Sequence, residues 1–380
     1  MKPKAAVRQH VFPCQQCGAQ LEFQPGTNEL SCTHCGHNHQ IRISGNPIHE
    51  YNYHSTLHHL PQGAEDTIVI TVDCKSCSAE FEFNADIHAD ECPFCGSQIV
   101  VNTGEHKIIQ PESLLPFNIT SRQAQDHYKD WLKRLWFAPN KLKKYARKER
   151  KLRGMYVPYW TYDCYTKTHY RGQRGDTYTE PKRTSVIIDG KRKIQTRMVT
   201  KIRWRNVNGE VERDFDDVLV YATNSLPRSM ARELAPWDLW KLTPYQDEFL
   251  SGFQSEIYKI NLDQGFEIAK ERMHSTISQD IRLDIGGDHQ RINATHTEYS
   301  KITFKHILLP FWIAGFRFRN KTYQFIVNGR TGEVQGDRPY SWIKIGLAVL
   351  AVITVAIIFM NVAMESGFNE IGLNLLFELL

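Results

Sequence analysis

The chain has 380 residues, 41% of them hydrophobic and 11% aromatic, and a formal net charge of +5. That length accommodates about two to four domains, and the composition is ordinary for a chain that buries real cores. The charge is only mildly basic and does not by itself imply a nucleic-acid partner.

Near the N-terminus the same pattern occurs twice: CQQCGAQLEFQPGTNELSCTHC at 14–35 and CKSCSAEFEFNADIHADECPFC at 74–95. Cys14, Cys17, Cys32 and Cys35 form C-x2-C-x14-C-x2-C, and Cys74, Cys77, Cys92 and Cys95 repeat it with the same loop length. Each CxxC turn aims two thiolates at one centre, and a second turn closes a tetrahedron, the closed four-sulfur arrangement of structural zinc. The stretches QLEF and EFEF alternate as short strands do, which predicts a zinc ribbon at 10–45 and another at 70–104, with two structural zinc ions. The competing reading is a disulfide framework; MKPKAAVRQHVF shows no cleavable signal sequence, and a reducing compartment disfavours disulfides. Four thiolates leave no open position for catalysis at the metal. His34, His37 and His39 lie close enough in sequence to compete as ligands, and are read as solvated loop residues. So small a module needs metal binding for most of its folding free energy. Cys164, the ninth cysteine, stands among aromatic residues and reads as a buried core thiol.

Residues 106–340 read as one body. TSRQAQDHYKDWLKRLWF places Ala124, Tyr128, Trp131, Leu132 and Leu135 on one face behind a Thr120 or Ser121 cap, an amphipathic helix. NKLKKYARKERKLR, residues 140–153, carries eight Lys or Arg and one Glu. It reads as a solvated helix face or as a grip on phosphates, with anionic lipid or an acidic protein preferred to nucleic acid. Strand-like runs come next, with Asn208-Gly209 as a hairpin turn signal between two of them. YVPYWTYDCY (156–165) and LLPFWIAGFRF (308–318) each place an aromatic residue and then Trp160 or Trp312 after a proline. These predict duplicated β units, each proline heading its strand, with the aromatic residues packed in the core rather than forming a ligand box. A second helix is expected where Phe266, Ala269, Met273, Ile277 and Ile281 make a stripe that Gly286 and Gly287 end.

Ile345 to Met364 is a twenty-residue run without charge, long enough to cross a bilayer core of roughly 30 Å. A transmembrane helix is therefore expected at 343–364. Arg330, Arg338 and Lys344 precede the run, whereas Glu365, Glu370 and Glu378 come after it without Lys or Arg. That bias predicts a single-pass protein with its N-terminal body in the cytosol. The tail 365–380 spaces Phe368, Ile371, Leu375 and Leu379 as an amphipathic segment lying on the far membrane surface.

The expected fold class is thus α+β: two N-terminal four-cysteine zinc ribbons, a β-rich cytosolic body with duplicated units, and one C-terminal transmembrane helix. With the paired ribbons, GMYVPYW, IGGDHQRI, the stretch from KHILLPFW to SWIKI and the single span, the chain resembles the bacterial YdjG-type family of zinc-ribbon membrane proteins. Relatives of that kind carry labels such as primosomal protein N' or helicase, yet no G-x4-G-K-[ST] loop occurs here, so neither ATPase nor helicase activity is expected. The resemblance implies residence in a bacterial cytoplasmic membrane, with flotillin-like (SPFH) or phage-shock-type coat proteins as companions. No nucleophile, base and orienting group stand together as an enzyme would require. The leading expectation is a membrane-anchored scaffold or adaptor that recruits partner proteins in envelope stress or membrane organisation; the alternative is a membrane-bound nucleic-acid binder.

Overall fold

In the computed structural model the described residues are 12–58, 67–74, 79–82, 92, 94–95, 103–137, 152–188, 191–234, 236–318, 321–337 and 341–365. Cys77, the basic run from 140 to 151 and the tail beyond Glu365 lie outside them.

The first cysteine module is a three-stranded antiparallel sheet of β1 (Leu21–Phe23), β2 (Glu29–Cys32) and β3 (Asn38–Gln40). A short β4 (Tyr51–Asn52) and α1 (Tyr53–His58) link it to the second module, in which β5 (Thr67–Asp73) pairs with β6 (Glu80–Glu82) and β7 (Thr103–Ile108). After β8 (Ser113–Leu114), helix α2 (Ser121–Arg134) begins in a capping box: Gln123 N–H donates to Thr120 Oγ1 and Thr120 N–H to Gln123 Oε1. Thr120 is therefore the cap, and Ala124, Tyr128 and Leu132 are buried as the stripe requires.

Two very long strands form the backbone of the body, β9 (Arg153–Ile188, 36 residues) and β10 (Lys191–Tyr221, 31 residues). They pair antiparallel from Tyr159↔Tyr221 to Ile188↔Lys191, so their two-residue connection is 189–190. The Asn208-Gly209 turn is overturned: both residues lie within β10, opposite Arg171 and Tyr170. Gly209 has another use. A Cβ there would meet Tyr170 Oη at 2.6 Å and Asp284 Oδ2 at 2.8 Å, so glycine admits the Tyr170 ring across the ladder.

Helix α3 (Arg228–Glu233), β11 (Thr243–Pro244) and β12 (Gln254–Ser255) lead to α4 (Leu262–Ile285), which an Asn261–Gln264 capping box starts and Gly286, at φ 62°, ends. The remaining strands are β13 (His289–Phe318), β14 (Lys321–Asn328) and β15 (Val334–Gly336), and the main sheet runs β10-β9-β13-β14-β15. The last helix, α5 (Trp342–Glu365), is long and apolar enough to cross a membrane, and none of its apolar stretch is buried inside the molecule.

Pro158 and Pro310 do not head their strands; they lie inside β9 and β13, opposite Leu308 and Tyr156. An interior proline normally forfeits a ladder bond. Here the Pro158 carbonyl accepts from Ala222 N, just past the end of β10, and the Pro310 carbonyl from Gly329 N, just past the end of β14. Each bare nitrogen thus points where the neighbouring strand has stopped.

Burial along β9 divides the sheet into three zones. From Met155 to Tyr162 every residue is buried; from Asp163 to Tyr170 only the even-numbered face is; from Asp176 to Ser185 neither face is. In the first zone Tyr156, Leu308, Trp312, Phe325 and Val327 face the first cysteine module and α2. Met155, Val157, Tyr159, Ile307, Phe311 and Ile313 face the second module and α3. Helix α4 covers the even face from the end of the first zone through the second, packing on Trp160, Tyr162, Cys164 and Tyr170. The third zone is a two-stranded arm. Past the last β13 pair, His289↔Gly175, it continues for thirteen pairs, which at ~3.3 Å per residue reaches on the order of 40 Å. Strand β13 runs away from the arm, β14 returns, and β15 runs away again toward α5. The arm's tip and the start of the apolar helix therefore lie at opposite ends of the sheet.

Candidate metal centres

In the first module the four cysteines converge, with one ligand atom from each within 4.8 Å of the others. Cys14 Sγ is 3.6 Å from Cys35 Sγ, and Cys17 Sγ 3.5 Å from Cys32 Sγ. A disulfide would hold two sulfurs at about 2.05 Å, whereas four thiolates at about 2.3 Å from a zinc ion stand about 3.8 Å apart. The observed separations fit a shared ion.

The turns that present the sulfurs are built alike. Gly18 N–H donates to Cys14 O at 2.8 Å and Gly36 N–H to Cys32 O at 3.0 Å, and both glycines hold positive φ, 76° and 75°. Only glycine adopts that backbone without strain. Cys35 N–H reaches Cys32 Sγ at 3.5 Å, and that bond, helped by the His34 amide and opposed by burial, brings the Cys32 thiol down to about 6. Cys17 is pushed up to about 12: the Ala19 amide pulls the other way, but its contact with Cys32 sulfur and burial outweigh it. Four sulfurs this close cannot all ionise against one another, and a divalent cation makes that state favourable.

The second module brings Cys74, Cys92 and Cys95 together, with Cys74 Sγ and Cys95 Sγ 3.6 Å apart. One backbone hydrogen bond is shared by the two modules: Cys14 N–H donates to Ala19 O at 2.7 Å, and Cys74 N–H to Ala79 O at 2.8 Å. The two cysteine clusters are compatible with metal binding. His34 and His39 are exposed, and His37 is partly so. Cys164 is a buried thiol 3.5 Å from Met273 Sδ, and burial pushes it up to about 12.

Neither module stands free. Phe23 packs edge-on against Phe249 at 5.2 Å, Phe23 N–H donates to Ser251 O, and Ser251 Oγ donates to Leu21 O at 2.6 Å. On the other face Gln324 Nε2 donates to Phe94 O at 3.0 Å, and Ile257 N–H to Glu80 O at 3.2 Å. Gly315 of β13 makes room for the CPFC turn, since a Cβ there would collide with the Phe94 carbonyl and stand 2.7 Å from Cys95 N.

Sequence reasoning missed two buried polar groups. Glu256, 2% exposed, accepts from Thr223 Oγ1 at 2.6 Å and from Ser225 Oγ on the same oxygen; burial pushes it up to about 8. Lys305 lies 2.8 Å from both Glu50 and Asp217 and 3.9 Å from Asp163. Those carboxylates overcome the cost of burial and hold the ammonium charged, while burial raises Asp163 to about 6. The first group ties residues after β10 to the second module's side, and the second ties Glu50 to the sheet. No motif announces either, because their members are far apart in sequence. A cleft of about 660 Å³ lies beside Tyr51, Glu112 and Tyr245, where Tyr51 Oη and His49 N–H each donate to one oxygen of Glu112.

The chain is similar to a Bacillus subtilis (strain 168) protein described as uncharacterized protein YdjG, with 22% identity over 333 residues, 87% of this chain and 90% of that one. No family model and no solved structure matches. The likeness to YdjG extends over most of both chains.

Proposed function

We propose that this protein is a membrane-anchored scaffold whose β9–β10 arm captures a protein partner away from the bilayer. In this reading α5 spans a bacterial cytoplasmic membrane with the rest of the chain in the cytosol. Two structural zinc ions, on Cys14, Cys17, Cys32 and Cys35 and on Cys74, Cys77, Cys92 and Cys95, fasten the sheet's two faces. The observation that carries it is the arm: a two-stranded ribbon beyond every packed layer, at the end opposite α5. One of its faces carries Ile194, Met198 and Ile202 in a row, 76%, 59% and 39% exposed. Aliphatic side chains held out in water in register suit a partner's apolar surface. Coat-type or SPFH-type proteins, implied by the YdjG-type resemblance, are the proposed occupants.

The arm's other face gives a second reading. Lys182, Arg197, Lys201 and Arg203 share it, with Arg205 at its base, offset in part by ion pairs of Lys201 with Glu180 and Arg205 with Asp176. A basic two-stranded ribbon fits the major groove of a duplex. The aliphatic row is wasted on a phosphate backbone, which favours protein. To test the choice, residues 179–200 are replaced by an Asn-Gly turn and the full-length protein is purified from detergent-solubilised membranes. Loss of co-purifying proteins, with metal content and membrane location kept, is expected. An unchanged partner set refutes the arm, and salt-sensitive duplex binding that disappears with the arm promotes the second reading.

A further inference from the structure

Where α2 ends, the chain does something a purely cytosolic helix terminus has no reason to do. Trp136 and Phe137 lie just past its last turn with 79% and 43% of their surface exposed, beside exposed Lys133 and Arg134. Ser341 N–H donates to Phe137 O at 2.7 Å, and Lys344 Nζ to Trp136 O at 3.1 Å. Those bonds fix the pair against the first turn of α5, where Trp342 and Ile343 are 83% and 77% exposed. Two indoles, a phenyl ring and three cations thus gather at the entrance of a twenty-four-residue apolar helix, although α2 and α5 are about two hundred residues apart in sequence.

We infer that Trp136 and Phe137 form a second, non-spanning membrane contact that seats the folded body on the bilayer surface. The inference rests on the reading of α5 as a span. Indole has an apolar ring and an N–H donor, which suits the layer between acyl chains and headgroups. Arg134 and Lys344, with Lys133 paired to Asp130, add positive charge beside the rings that would meet lipid phosphates. A tether through α5 alone would leave the body free to swing. With Trp136 and Phe137 seated beside Trp342, rotation about that single point is blocked. The long sheet then leaves the membrane at a set angle, which gives the arm a defined reach.

The test uses full-length protein in nanodiscs of phosphatidylcholine brominated at a shallow acyl position, with tryptophan emission as readout. Trp342→Phe should keep part of the wild-type quenching, and Trp342→Phe combined with Trp136→Phe should lose most of what remains. Both side chains are exposed, so the fold should survive. If adding Trp136→Phe changes nothing while Trp342→Phe alone lowers quenching, the span stands and the second contact is refuted. If the wild-type protein shows no lipid quenching at all, the span reading fails and takes the inference with it. Trp136 emission that responds to protein concentration but not to brominated lipid assigns the patch to a second copy and refutes the inference.

Discussion

Replacing Gly315 with alanine tests whether the second cysteine module is seated on the sheet or only tethered near it. The added Cβ would collide with the Phe94 carbonyl and stand 2.7 Å from the Cys95 nitrogen, both backbone atoms of the CPFC turn that no rotamer change can move. Restoring ordinary carbon–oxygen contact, about 3.3 Å, needs a shift of about 1 Å by the turn or by β13. Overpacking of this kind costs about 1–3 kcal/mol, and the shift also weakens the Gln324–Phe94 hydrogen bond, about 1 kcal/mol more. In a body of this size each kcal/mol lowers Tm by about 2–4 °C. Thermal melting of the full-length protein in detergent should therefore drop by several degrees in Gly315→Ala, and a chelator should strip the second module faster. Gly45→Ala, with nothing within 4 Å of its Cβ, is the control and should stay within about 0.5 kcal/mol of wild type. Equal melting of the two variants would show that the CPFC turn is not packed on β13.

Elemental analysis of freshly reduced full-length protein should give two zinc ions per chain, falling to one in Cys32→Ser and to one in Cys95→Ser; a wild-type count of one or none refutes the paired centres. Glu256 should make stability pH-dependent: its carboxyl holds a proton up to about pH 8 when folded but releases it near 4.5 when unfolded, so the folded state binds more protons between those values. Stability then falls as pH rises through that window, by at most about 1.4 kcal/mol per unit, and levels off above it. Denaturant melts at about pH 6 and about pH 8 should show a smaller decline in Glu256→Gln than in wild type, and parallel declines would refute the buried-acid account.

Local chemistry was legible in the sequence, and long-range partnership was not. The cysteine spacing, the stripe on α2 and the stripe on α4 each depend on residues a few positions apart; both helices lie within a few residues of their expected places, and the described cysteines of each set cluster. The sequence shows strand-like runs but not their continuity into an arm, because strands of 36 and 31 residues lie far outside the usual range and Asn208-Gly209 looks like a turn. The sequence also contains Asp189-Gly190, an equally good hairpin signal, at the connection between the two strands. The chain turns at the earlier of the two signals, and Trp160, Tyr162 and Tyr170 share a core with α4 while β10 pairs alongside β9. Pro158 and Pro310 misled for the same reason, since whether a strand tolerates proline depends on where its neighbours end.

The duplication of the cysteine module is a consequence of the sheet. At the end nearest α5, β9, β13 and β14 bury side chains of both parities, so the sheet has two apolar faces and needs a layer on each. Helices α2 and α3 are too few to supply them, with 14 and 6 residues. Each face instead pairs one short helix with one cysteine module, and each module contributes buried aromatic rings: Phe23 on one side, Phe81 and Phe94 on the other. A three-stranded module has too little core to hold such a face by itself, and a metal ion shared by its cysteines would make it rigid enough to serve as a lid. One copy would leave one side of the sheet wet. Losing a single cysteine should therefore expose Phe249 and Phe253, or Phe311 and Ile313, rather than unravel an isolated bead. Cys32→Ser should bind a hydrophobic dye on the Phe249 face while the Phe94 turn stays seated, and a variant that loses metal without gaining dye would show that the modules are appended to the body and not part of its core.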